Sequence, residues 1–179
     1  MINNKDIIPI FYDHSSKKSS LTWWGESDWK DGGPTSILKL AKQSGLKEIN
    51  FVSKNFHNYD EADRACSKNE LSLKFGIELI LTDNIEKNER SKQNESKVIV
   101  WMKNSSSWKD IVQLYTKINA NPDNKYYYMR GSWKMLCDMW TDNLALYLPI
   151  FDSVIHNNLL KYGASIVPQF PVPPDIHRE

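Results

Sequence analysis

One carboxylate in this chain sits where carboxylates are scarce. Residues 71–83 read Leu-Ser-Leu-Lys-Phe-Gly-Ile-Glu-Leu-Ile-Leu-Thr-Asp. Leu71, Leu73, Phe75, Ile77, Leu79 and Leu81 recur at every second position, the period of a strand with one face buried. Ser72, Lys74, Gly76, Glu78 and Ile80 fall on the other face. Acidic residues are depleted from strands, and a glycine inside one often marks close backbone approach. Glu78, two residues after Gly76, therefore has two readings. Either it faces solvent or a lysine, or the strand belongs to a barrel whose outer face packs on helices while its inner face carries site chemistry.

The remaining candidates are the four histidines, His14, His57, His156 and His177. His14 lies just past the end of a first strand, where α/β proteins build their sites. His57 lies in the loop after the second strand, so strand order can bring it towards the same rim. For any one of them a surface or capping role is the ordinary alternative. No two histidines have metal-ligand spacing, and the chain has no phosphate-cradling glycine loop, dinucleotide fingerprint or Cys-x-x-Cys. Gly32-Gly33-Pro34 before a helix could present amides to an anion, but the proline removes one donor and the stretch reads as a turn.

The elements that would position these groups alternate. Residues 7–12 read as a strand, and Pro34 with Thr35 and Ser36 opens a helix whose stripe is Ile37, Leu38, Leu40 and Ala41 and which stops at Gly45. Residues 48–52 form the next strand, 53–58 a loop and 59–68 a helix with Ala62, Ala65 and Cys66 on one side. The strand of Glu78 follows, and the charge-alternating stretch 83–97 reads as a solvated loop. Residues 98–102 are a buried strand. Ser107-Trp-Lys-Asp110 fits a capping box opening a helix through Ile111, Leu114, Tyr115 and Ile118. A turn at 121–125, a short extended piece at 126–129, a helix over 132–140, a strand at 144–150 and a helix at 152–160 with Asp152 as N-cap complete the pattern. The proline-rich end, 168–174, suits neither a helix nor a central strand. The order predicts an α/β chain with a mostly parallel sheet or an incomplete barrel.

Bulk properties narrow the function classes. The chain has 179 residues, suited to one domain able to bury its own core. A net charge of +1 gives no overall electrostatic case for nucleic acid or for an acidic partner. The two cysteines, Cys66 and Cys137, fall in helical segments, which fits buried thiols in a reducing cytoplasm rather than a disulfide framework. The polar N-terminus is followed by a run too short for a signal peptide core, and no window is long enough to span a bilayer, so no membrane partner is expected.

Several segments resemble PHP domains, the polymerase-and-histidinol-phosphatase phosphoesterases. His14-Ser-Ser-Lys-Lys-Ser-Ser-Leu21 looks like the first motif, His-x-His-Ser-x-x-Ser-Leu. Residues 37–52 resemble the helix and second strand that follow it. Phe75-Gly-Ile-Glu-Leu79 looks like the Gly-x-Glu metal-ligand strand, and Val98-Ile-Val-Trp-Met-Lys-Asn104 resembles a strand end in the N-terminal domain of bacterial DNA polymerase III alpha subunits. The likeness runs from about Ile8 to Pro171 and is nearest to PHP-like proteins of marine bacteriophages. It implies an incomplete or distorted β/α barrel with parallel strands and outer helices over 1–170, with 171–179 as a proline-rich tail.

The departures decide what the resemblance implies for chemistry. His14 matches the first motif histidine, but Ser16 replaces the second. The Asp-His pair expected after the second strand falls near Ser53 and Lys54, and Ser96 or Lys97 replaces a later histidine. A PHP cluster of divalent ions draws on many His and acidic ligands. Of those ligands His14 and Glu78 survive, and Lys54 would stand as a fixed charge in place of a cation. The expectation is a degenerate, non-catalytic PHP-like domain with no cofactor, a structural or interaction module for replication proteins such as a DNA polymerase subunit, in the cytoplasm of a bacterium or phage-infected cell. The alternative is a metal-dependent phosphoesterase, a 3′–5′ exonuclease or phosphatase, using Zn, Mn or Mg on His14, Glu78, His57, Asp13 and Asp152. Asp175-Ile-His177 has the spelling of the family's last motif but lies in the proline-bound tail. Lys17, Lys18, Lys30 and Lys54 are the basic positions at which DNA contact stays open, against a solvated face.

Overall fold

The structure, a computed structural model, describes residues 10–12, 36–82, 85, 95–124 and 128–147. Contacts divide the chain into two units, Met1–Ile77 and Glu78–Glu179, and the division falls inside one strand. In the first unit Ile10–Tyr12 (β1) pairs in parallel with Glu48–Ser53 (β2), Phe11 opposite Phe51. β2 pairs in parallel with Ser72–Thr82 (β3), Phe51 opposite Phe75. Parallel strands need long crossovers, and two helices supply them.

The first crossover helix, Ile37–Gln43 (α1), buries Ile37, Leu38 and Ala41. It stops because Gly45 takes φ 65°, a conformation without side-chain penalty only for glycine. The Gly45 and Leu46 N–H groups then donate to the carbonyls of Lys42 and Ala41, closing a Schellman motif. The second, Tyr59–Lys68 (α2), begins after Asn58 at φ 65° and buries Ala62 and Cys66. Asp60 and Glu61 in its first turn and Lys68 in its last complement the helix dipole. The unit's core centres on Phe75, whose ring meets Phe51, Phe56 and, edge-on at 4.9 Å, Tyr59.

The second unit takes up β3 at Glu78 and continues through Glu95–Met102 (β4), a 3-10 turn at Ser105–Ser107, Trp108–Asn119 (α3), Gly131–Ser132 (β5), Trp133–Asp138 (α4) and Leu144–Tyr147 (β6). β5 lies parallel to the end of β3, Leu81 opposite Gly131, and β6 runs antiparallel to β4, Trp101 opposite Ala145. α3 turns Ile111, Leu114 and Ile118 into the core. The strand order is β1-β2-β3-β4-β6 with β5 on β3, a parallel-rich α/β sheet of six strands. Among the described residues no pairing joins β6 to β1. No described helix is long and apolar enough to cross a membrane.

Four expectations are corrected. The strand at 98–102 begins earlier, at Glu95, because Glu95 is tied to Tyr128 and Arg130 and Ser96 is buried. The capping box lies one turn before the expected place. Asn104 accepts from the Ser106 N–H and Ser107 Oγ accepts from the Asn104 N–H, whereas Ser107 as cap of α3 makes no side-chain cap bond. Its hydroxyl donates instead to the Asn143 carbonyl at 2.7 Å. The short extended piece falls at Gly131–Ser132 rather than 126–129, of which 126 and 127 lie outside the described residues. The helix after it ends at Asp138, its N-cap Ser132 accepting from the Met135 N–H. The helix expected at 152–160 and the proline-rich stretch lie outside the described residues.

Cys66 and Cys137 are free thiols in α2 and α4. Burial, reinforced by Asp63, pushes the Cys66 thiol up to about 12, so it stays protonated and packs as a small hydrophobe. Gly131 sits at a close approach between Ile118 and Leu81. A Cβ there would stand 2.9 Å from Ile118 Cγ1 and 3.0 Å from Leu81 Cδ2. Gly131→Ala is expected to lower stability by about 1–3 kcal/mol through overpacking, read as a reduced urea midpoint. An unchanged midpoint would show that Ile118 and Leu81 give way freely.

Candidate functional site

Glu78 is the sequence-selected residue whose placement is clearest. It stands on β3 between Ile77 and Leu79 with 8% of its surface exposed, and Gly76 before it is buried as well. In the second unit, to which Glu78 belongs, Leu81 lies against Gly131 together with Ile118 of α3. Alternation therefore turns Glu78 to the opposite face, and that face is covered too. The solvent-facing alternative for Glu78 is excluded by its burial. The register adds neighbours on the same side, since Thr82 of that face is paired with Ser132.

The segment after β2 is arranged differently from a ligand loop. Ser53 is buried, and its hydroxyl donates to Asn55 Oδ1 at 3.3 Å. The Asn55 N–H donates back to Ser53 Oγ at 3.4 Å, and Asn55 Oδ1 also accepts from the His57 N–H at 2.8 Å. This Asx-type turn leaves Lys54 and His57 exposed at the surface. Ser96 is 1% exposed and its hydroxyl has no hydrogen-bond partner among the described residues, while Lys97 next to it is exposed. Asp13, His14 and Asp152 lie outside the described residues, as do His156 and His177.

A divalent ion in a PHP-type cluster wants four or more donors of imidazole, carboxylate or thiolate type. Among the described residues no three His, Cys, Asp or Glu side chains are grouped to hold one. The described residues do not fit such a cluster.

Sequence reasoning missed a buried charged group in the second unit. The Arg130 side chain is 2% exposed and its guanidinium donates to Glu95 Oε1 at 2.9 Å. Tyr128 donates its hydroxyl to Glu95 Oε2, and Arg130 reaches the Ile85 carbonyl at 3.4 Å. The only sequence signal was a tyrosine and an arginine two residues apart ahead of a glycine. A second polar cluster closes the turn before β6. Asp110 accepts from Thr141 Oγ1 at 2.8 Å and Asn143 Nδ2 at 2.9 Å, and the bonds from Asn143 and then Thr141 hold its carboxyl below the usual range. Lys103 donates to the Asp142 carbonyl in the same turn.

No family model and no curated protein matches the sequence. Among solved structures the chain is similar to a protein from Bifidobacterium adolescentis provisionally described as a metal-dependent phosphoesterase, with a TM-score of 0.43 and 10% identity over 73% of this chain and 68% of that one.

The Arg130–Glu95 pair yields a stability prediction. Removing one partner of a buried ion pair leaves the other charge without its partner. Glu95→Gln is expected to cost roughly 3 kcal/mol in urea unfolding, and Glu95→Leu combined with Arg130→Met to recover most of it. A loss under about 1 kcal/mol would mean that the pair behaves like an exposed one.

Proposed function

We propose that this chain is a PHP-like domain without phosphoesterase activity, which serves as an interaction or structural module for replication proteins such as a DNA polymerase subunit. The observation that carries the reading is the turn after β2. Where the resemblance implies an Asp-His ligand pair, the chain has a buried serine hydroxyl held by Asn55 and an exposed lysine ammonium. A serine hydroxyl is a poor ligand beside carboxylate and imidazole, and an ammonium donates hydrogen bonds but offers no lone pair. The link to replication rests on the likeness of residues 98–104 to a strand end in the N-terminal domain of bacterial DNA polymerase III alpha subunits. The Asx turn supports the loss of ligands and leaves the partner to experiment.

One observation favours the second reading, a metal-dependent phosphoesterase. Glu78 is buried on β3 after a buried glycine, at the position the resemblance gives to a metal ligand. Metal content after purification, combined with assays on single-stranded DNA and on a generic phosphate ester, separates the two. The expected outcome is no stoichiometric Zn, Mn or Mg and no turnover when each is added. Stoichiometric metal with turnover abolished by His14→Ala would overturn the proposal.

A further inference from the structure

Tyr128, Met129 and Arg130 precede β5, and the outer two are committed inward. The Tyr128 hydroxyl and the Arg130 guanidinium both donate to the Glu95 carboxylate. Arg130 is buried and Tyr128 is half-buried. Met129 between them is 54% exposed. With both neighbours tied to Glu95, its thioether is held at the surface. The other described methionines are less accessible. Met102 is 7% exposed, and Met135 and Met139 are half-buried. Oxidation of a thioether requires the oxidant to reach a sulfur lone pair, so susceptibility follows exposure.

Asn124 supplies a second observation. Its Nδ2 donates to Met129 Sδ at 3.7 Å and to the Tyr128 carbonyl at 3.1 Å. A side-chain amide carries two N–H donors, enough for both acceptors, and a thioether sulfur is a weak acceptor. A sulfoxide oxygen on the same sulfur is a far stronger one. The amide that now meets a sulfur therefore stands where an oxidised side chain would need a donor.

We propose that Met129 is a site of reversible oxidation to the sulfoxide by hydrogen peroxide, and that Asn124 holds the oxidised side chain. The Met129 sulfur lone pair attacks one peroxide oxygen, the S–O bond forms, the O–O bond breaks and water leaves. The thioether gives up two electrons and the peroxide takes them. A methionine sulfoxide reductase reverses the step with electrons from thiols. The modification turns an exposed large apolar side chain into a polar one, and it leaves the buried residues of the second unit in place. The proposal goes beyond the function proposed above and stands whichever way the metal measurement falls.

The test treats the native full chain with hydrogen peroxide for increasing times and follows each methionine by peptide mass mapping. Met129 is expected to gain one oxygen at least about tenfold faster than Met102, Met135 or Met139, and a methionine sulfoxide reductase to remove it. Urea unfolding of the singly oxidised chain is expected to stay cooperative. Asn124→Ala is expected to lower the urea midpoint more in the oxidised chain than in the reduced one. Met129→Leu, which keeps an apolar side chain of similar size but has no sulfur, is expected to abolish that difference. Oxidation of Met135 or Met139 as fast as Met129 would overturn the proposal. So would a sulfoxide that the reductase leaves in place, loss of the cooperative transition on oxidation, or an Asn124→Ala effect equal in the two states.

Discussion

Covering β3 on both faces is the constraint to which the other elements answer. From Phe75 to Leu79 every position of this strand is buried, so both faces require partners and every polar group placed there must be accommodated. Each large apolar side chain buried along it contributes about 2 kcal/mol of transfer free energy. The neighbours follow from that demand. In the first unit β2 lies alongside and α2 supplies Tyr59 against Phe75. In the second, β5 lies alongside and α3 supplies Ile118 against Leu81 across Gly131. Within the second unit Glu78 occupies the face away from Ile118 of α3, and there a buried carboxylate is the costly choice.

The same cost governs the charge cluster at the start of β4. A guanidinium as buried as that of Arg130 is tolerable only with a counter-charge and hydrogen-bond acceptors, and Glu95 with the Ile85 carbonyl provides them. Because Glu95 must meet Arg130, β4 starts three residues before its apolar run. The turn at Thr141–Asn143 shows the milder case. There Asp110, the buried Ser107 and the exposed Lys103 each bond into the turn, and these hydrogen bonds set the direction in which the chain enters β6.

Legibility in the sequence tracked the range of the interactions. Residues 71–83 carried a clean two-residue period, and β3 falls within one residue of those limits at each end. The helix at 59–68 was legible for a similar reason, since Ala62 and Cys66 repeat at helical spacing and Asn58 can adopt the left-handed conformation before it. What failed was settled by distant partners. Glu95 read as loop because Arg130 lies far along the chain, and Ser107 read as a helix cap because nothing local reveals that Asn143 takes its hydroxyl. The antiparallel β6 was equally hidden, for pairing direction depends on which strand it meets. At the candidate site the position of Glu78 was legible but its burial was not, because coverage of the second face is a property of the whole fold.

The proposed loss of the metal cluster requires that Glu78 be held by its protein neighbours alone. Thermal unfolding with and without millimolar Mn, Zn or Mg tests it directly, because any ion bound to the native state alone raises the midpoint by mass action. The account predicts that none of the three ions moves the midpoint of the native sequence, and that Glu78→Gln lowers it equally in their presence and absence. A midpoint that rises with one of these ions, in the native sequence but not in Glu78→Gln, would contradict it.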